Sequence, residues 1–289
     1  MTPLSVSPQW LREHLDDEDL VVVDATNHLP VPTDGPYVPE SGAQTYRDAH
    51  IPGALFADLL GDFADPEASE PWTAPDHDRF AAAAGALGIG DGAKVVVYDQ
   101  HDGFWATRFW WHLRFEGFDN VTVLDGGLPA WKAAGFDVTD VVPEPTPRTF
   151  TGARRPELIR STDEIAAGLD DDGTVLVNVL DGATYRGEVD TYARRGHIPG
   201  SINLPVFTLR DPETGTLRPV EELKAEFEKA GLLDEGKRVV TYCGGGIAAT
   251  GVAHALAIAG RDDVAIYDGS MTAWAGNPDL PLVTGDSPR

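Results

Sequence analysis

Cys243 is the only cysteine in a chain of 289 residues, and it stands in Val239-Val240-Thr241-Tyr242-Cys243-Gly244-Gly245-Gly246-Ile247-Ala248. A β-branched run leads into the thiol, three glycines follow, and the small residues of 248–259 read as a helix. A strand–loop–helix joint puts a side chain at a helix N-terminus, among backbone N–H groups that favour negative charge. A thiol there is placed to react as the thiolate, the nucleophilic form of cysteine. The competing reading is a small buried hydrophobe, the usual fate of a free cysteine. The triple glycine argues against it, because a core cysteine needs no glycine loop. The same glycines lack the spacing of a dinucleotide fingerprint or a P-loop, so a nucleotide site is a weak reading.

The elements that must hold this loop occur twice. His50-Ile51-Pro52-Gly53-Ala54 returns as His197-Ile198-Pro199-Gly200-Ser201. Asp125-Gly126-Gly127-Leu128-Pro129-Ala130-Trp131 returns as Asp268-Gly269-Ser270-Met271-Thr272-Ala273-Trp274. Between them Val95-Val96-Val97-Tyr98-Asp99 parallels Val239-Val240-Thr241-Tyr242-Cys243. Three motifs in one order at nearly one offset indicate two copies of one domain.

Each copy alternates apolar strands with helices. The first is read as helix 8–16 capped by Ser7, strand 20–24, helix 76–87, strand 94–98, helix 105–115, strand 121–124 and helix 128–134. The second is read as helix 162–169 capped by Ser161, strand 174–179, helix 220–230, strand 238–242, helix 248–259, strand 264–267 and a short helix ending near Trp274. Continuous buried strands between helices imply an α/β fold: two tandem domains, each a parallel sheet with helices on both faces. The expected boundaries are 1–140 for the first domain, 141–160 for a linker and 161–289 for the second. Pro143-Glu144-Pro145-Thr146-Pro147 excludes a helix in the linker, which is expected to lie extended over the first domain.

Asp plus Glu number 47 against 22 Lys plus Arg, a net charge of −25, while hydrophobic content is an ordinary 42%. The acids are dispersed, which suggests a folded protein adapted to high salt, where screening relieves self-repulsion. Nucleic acid and anionic membranes are unsuitable partners for such a field. One cysteine excludes an internal disulfide and any CxxC site. The N-terminus shows no basic and apolar leader pattern and no apolar run spans a bilayer, so a cytoplasmic monomer is expected.

The duplicated His-Ile-Pro-Gly, the Asp-Gly…Ala-Trp motif and a cysteine loop in the second copy alone resemble the two-domain rhodanese family. That family comprises thiosulfate and 3-mercaptopyruvate sulfurtransferases. The resemblance implies a catalytically silent first domain, consistent with Asp99 at the sister position of Cys243. It implies covalent catalysis in which Cys243 takes a sulfane sulfur from an anionic donor as a persulfide and passes it to cyanide or a thiol, with no cofactor and no metal. The N–H groups of Gly244, Gly245, Gly246, Ile247 and Ala248 would then cradle the anionic sulfur. Arg186 matches the family's donor-binding arginine, although a surface ion pair with Glu188 or Asp190 explains it equally simply. Arg194 and Arg195 are second choices. His50 and His197 recur in both copies and are expected to serve the fold, and Arg108 to support packing between domains.

The loop Cys-Gly-Gly-Gly-Ile-Ala differs from the Cys-Arg-Lys-Gly-Val-Thr of thiosulfate enzymes and the Cys-Gly-Ser-Gly-Val-Thr of mercaptopyruvate enzymes. Asp58 matches an aspartate of the latter group, but Trp72 stands where a histidine partner would be sought. Thiosulfate is the favoured donor, with 3-mercaptopyruvate as the other. A cysteine phosphatase or arsenate reductase would need an arginine closing the loop, and Ala249 and Thr250 stand there. A sulfur carrier or binding module without turnover is the other alternative.

Overall fold

The computed structural model describes residues 2–30 and 38–288. The first unit, Met1–Arg155 with Pro212–Thr216, runs Ser5–Val6 (β1), Pro8–His14 (α1), Leu20–Asp24 (β2), Asn27–His28 (β3), Glu40–Ser41 (β4), Ala43–Asp48 (α2) and Leu55–Phe56 (β5). It continues through His77–Ala86 (α3), Lys94–Tyr98 (β6), Phe104–Phe115 (α4), Val121–Leu124 (β7) and Gly127–Ala133 (α5). The second unit, Pro156–Asp211 with Leu217–Arg289, runs Ile159–Arg160 (β8), Thr162–Ala167 (α6), Thr174–Asn178 (β9), Gly182–Arg186 (α7), Ile202–Asn203 (β10), Val220–Lys229 (α8), Arg238–Tyr242 (β11), Ala249–Ile258 (α9), Ala265–Tyr267 (β12) and Ser270–Gly276 (α10).

Each unit builds one parallel five-stranded sheet, in the order β1-β7-β6-β2-β5 in the first and β8-β12-β11-β9-β10 in the second. The orders correspond strand for strand. Central pairing is in matching register: Asp24 faces Tyr98 in the first sheet and Asn178 faces Tyr242 in the second. The apolar runs become the central strands because a parallel strand covered on both faces needs side chains for both. Ser7 and Ser161 do cap their helices, Ser161 in a reciprocal capping box with Glu164.

The repeated motifs make the same contacts in both units. The Ile51 N–H donates to the Tyr98 hydroxyl at 3.0 Å, and the Ile198 N–H to the Tyr242 hydroxyl at 3.2 Å. Burial pushes both phenols up from their ordinary range, so they remain neutral hydrogen-bonding groups. His50 stacks on Tyr46 and His197 on Tyr185, at 4.1 and 3.7 Å between ring centroids. Trp131 and Trp274 are fully buried, their indole N–H groups donating to Asp137 and Pro281 carbonyls. Replacing a buried tryptophan of this kind with alanine costs about 3–5 kcal/mol. Both histidines therefore belong to the fold.

Residues 141–155 run without helix or strand along the first unit. The Arg148 N–H donates to the Gly85 carbonyl at 2.9 Å, and the Arg155 N–H to that of Phe115 at 2.7 Å. Arg154 pairs with the buried Glu116 carboxylate, which His77 also meets at 2.6 Å. The stretch read as linker ends earlier than expected, because Pro156–Leu158 form a 3-10 turn and Ile159–Arg160 pair with β12. Arg108 is buried in the first unit, donating to the Trp72 carbonyl at 3.0 Å and lying 4.7 Å from the Trp111 ring centroid. No helix among the described residues is long and apolar enough to cross a membrane.

Candidate active site

β11 delivers Cys243 to the C-terminal end of its sheet, where ligands gather in open α/β folds. The residue is 3% exposed and unpaired with any other cysteine. Beyond it the loop turns at Gly246, whose φ is +75°, and enters α9. The Thr250 and Gly251 N–H groups donate to the Ile247 and Ala248 carbonyls, so the loop tightens directly into the helix. α9 carries no acid in its first turn, leaving its positive end unopposed by its own side chains.

The loop is fastened from 27 residues away by Ser270, which the sequence reading passed over. Ser270 Oγ accepts from the Cys243 N–H at 3.1 Å and the Gly246 N–H at 3.0 Å, and donates to the Tyr267 carbonyl at 2.8 Å. Its φ is +47°, a left-handed conformation that costs a non-glycine residue about 1–3 kcal/mol. The sister residue Gly127 adopts φ +55° without that penalty. The mismatch of glycine and serine inside a repeated motif was the sequence signal for this residue. The start of α10 closes the arrangement. Met271 N–H donates to the Cys243 carbonyl at 3.0 Å, and Thr272 donates to the Gly244 carbonyl through its N–H at 2.9 Å and its hydroxyl at 2.8 Å.

These bonds correct one part of the expected cradle. The Gly246 N–H is engaged by Ser270. The N–H groups of Gly244, Gly245, Ile247 and Ala248 donate to no other described residue. They belong to a loop, Cys243 to Ala248, that contains no side-chain cation. Ala249 and Thr250 are buried in α9, so no arginine closes the loop in the manner of a phosphate cradle.

The arginines are occupied. Arg186, at the end of α7, makes a two-pronged pair with Glu188 at 2.8 and 2.9 Å and lies 3.8 Å from Asp286. That hydrogen-bonded pair raises the guanidinium pKa and lowers that of Glu188. The side chain is 34% exposed, so solvent screens the pair and leaves it free to exchange. The simple ion-pair reading of Arg186 thus describes the geometry, with Glu188 and not Asp190 as partner. Arg195 is the residue that meets Asp190, at 2.8 Å. Arg194 binds the carbonyls of Trp274, Ala275, Asn277 and Leu280 and so fastens the end of α10.

The sister site in the first unit carries no thiol. Asp99 is fully buried at the end of β6, and its carboxylate accepts from the N–H groups of His101 at 2.9 Å, Gly103 at 3.0 Å and Ala106 at 3.0 Å. Asp58 accepts from the Ser41 hydroxyl and the Leu60 N–H within that unit. Trp72 is buried there, and its carbonyl accepts from Arg108. Among the described residues no group of three or more His, Cys, Asp or Glu side chains could hold a metal ion.

Comparison with known proteins agrees with this duplication. The family model described as the rhodanese-like domain matches residues 7–134 and again 161–277. The chain is 37% identical over 306 residues to thiosulfate/3-mercaptopyruvate sulfurtransferase 2 of Arabidopsis thaliana, covering 98% of this chain and 87% of that protein. It is 32% identical over 282 residues to 3-mercaptopyruvate sulfurtransferase of Escherichia coli K12, covering 96% of each. The crystal structure of a 3-mercaptopyruvate sulfotransferase from Escherichia coli superposes with a TM-score of 0.80 at 32% identity, over 93% of this chain and 99% of that one. Two matching sheets, two matches to one domain model and near full-length relatives lead to one conclusion: the chain is a two-domain member of the rhodanese family and a sulfurtransferase.

Proposed function

We propose that Cys243 is the nucleophile of the sulfur transfer and that the loop N–H groups of Gly244, Gly245, Ile247 and Ala248 hold the sulfur it acquires. The supporting observation is that four backbone N–H groups without a described partner follow one thiol at the entry to α9. The thiolate attacks the donor's outer sulfur. From thiosulfate, the S–S bond breaks and sulfite leaves. From 3-mercaptopyruvate, the C–S bond breaks and the carbon left behind takes up a proton to give pyruvate. Cys243 is a persulfide in either case, and attack by cyanide or a thiolate on its outer sulfur returns the Cys243 thiolate.

Contrary to the sequence-based preference for thiosulfate, the loop's lack of a cation favours 3-mercaptopyruvate as donor. Thiosulfate carries two negative charges, the loop has no side-chain cation, and the chain bears −25. A monoanionic carboxylate asks less of such a site. Both donor classes occur in the names of the related sulfurtransferases. Arg186 serves this reading by exchanging Glu188 for the donor's anionic group, a change of partner that a weak exposed pair permits. Replacing Arg186 with alanine then raises the donor KM and leaves acceptor KM unchanged.

The test is intact-protein mass after incubation with each donor, in a KCl series because of the acidic surface. Wild type gains one sulfur, Cys243→Ser gains none, and kcat/KM is higher with 3-mercaptopyruvate. No mass gain with either donor at any salt concentration overturns the assignment of Cys243. Equal or better kcat/KM with thiosulfate overturns the donor preference.

A further inference from the structure

Gly244 follows the nucleophile and lies directly against a neighbouring side chain. A methyl group built on Gly244 would lie 2.4 Å from the Tyr192 hydroxyl oxygen, but 3.4 and 3.5 Å from the ring carbons Cζ and Cε1. The phenol oxygen alone therefore occupies the space beside the Gly244 Cα, and the ring behind it is at ordinary contact distance. A side chain at position 244 would displace this hydroxyl.

The hydroxyl is also held in place. The Tyr192 ring packs against the core cluster that includes Tyr242, Met271 and Trp274. The chain around it is tied by Arg195 to Asp190 and by Arg194 to four carbonyls at the end of α10. A hydroxyl fixed by packing loses little entropy on meeting a ligand, which is the condition for an efficient binding group. Its chemistry suits the charge of the site. A phenolic O–H can donate to an anionic oxygen without requiring a counter-ion.

Resting on the assignment of Cys243 as nucleophile, we propose that Tyr192 is a donor-binding residue whose hydroxyl donates a hydrogen bond to the anionic oxygen of the sulfur donor at the Gly244 edge of the loop. This contact orients the donor's outer sulfur toward Cys243 and gives the loop, with no cation of its own, one side-chain donor beside its backbone N–H groups.

The test uses the full chain and two substitutions. Tyr192→Phe removes only the hydroxyl. It raises the donor KM about tenfold for 3-mercaptopyruvate, thiosulfate or both, with kcat within twofold, acceptor KM unchanged and the thermal midpoint retained. Gly244→Ala displaces the hydroxyl with its methyl group and raises the donor KM similarly. In the Tyr192→Phe background the methyl meets only ring carbons at contact distance, so the double variant matches Tyr192→Phe. An unchanged KM for both donors in Tyr192→Phe overturns the proposal, as does a full additional effect of Gly244→Ala in that background. Mass gain on Tyr192→Phe at saturating donor is retained. A wild type that gains no sulfur defeats the Cys243 assignment instead, so the two failures are distinguishable.

Discussion

The ends of β6 and β11 are the same place in two copies of one fold, and they treat negative charge in opposite ways. At the end of β6, Asp99 supplies a carboxylate that is buried among three backbone N–H groups. At the end of β11, Cys243 supplies a thiol, and four N–H groups of the loop reach no described partner. The first loop carries its own anion and is complete. The second loop carries no carboxylate of its own. The difference extends to the turn that follows the last strand. Gly127 passes through φ +55° with no side chain, while Ser270 accepts φ +47° and uses its hydroxyl to fasten the Cys243 and Gly246 N–H groups. A fold that tolerates glycine at this turn does not require a strained serine there, so the strain belongs to the site and not to the architecture.

This contrast is open to direct attack, and the largest effect falls on the thiol. Copying the first loop into the second with Cys243→Asp abolishes sulfur gain and lowers turnover by about a thousandfold or more, because the nucleophile is gone. The same variant keeps a thermal midpoint within a few degrees of wild type, since the new carboxylate takes up loop N–H groups as Asp99 does. Loss of cooperative folding in Cys243→Asp, followed by circular dichroism, shows that the two cradles differ in shape and breaks the comparison.

Stability moves next. Asp99→Ala leaves three buried donors without their charged acceptor and destabilises the first unit by about 3 kcal/mol. A urea titration measures this, and an unchanged midpoint shows that the Asp99 bonds are incidental. The smallest effect belongs to Ser270→Gly, which imports the first-unit turn. Relief of backbone strain offsets the lost hydrogen bonds, so stability shifts by no more than about 1 kcal/mol. Activity falls about tenfold as the loop loosens. Full activity in this variant removes Ser270 from the account of the site.

What could be read from the chain follows from the size and regularity of its parts. β2, β6, β9 and β11 are five-residue strands built around β-branched and apolar residues, long enough to be seen without neighbours. β1, β5, β8 and β10 are two-residue edge strands, recognisable only by the strand each pairs with. α2 and α7 have six and five residues, too short for helical periodicity to show. Whether Arg186 pairs with Glu188 or Asp190 stayed open in the sequence because the pairing, and the approach to Asp286, depend on how the chain turns at Gly187.

By itself the sequence determined that there are two copies of one α/β domain, that one strand end carries a thiol where the other carries an acid, and that glycines surround the thiol. These are statements about residue type and order, and motif repetition makes them legible. Tertiary structure alone decided which loop N–H groups are engaged, that Ser270 fastens them, and that Tyr192 stands over Gly244. Each of those contacts joins segments far apart in sequence, and a hydrogen bond or a steric contact of 3 Å depends on where two distant backbones come to rest, which no local pattern encodes.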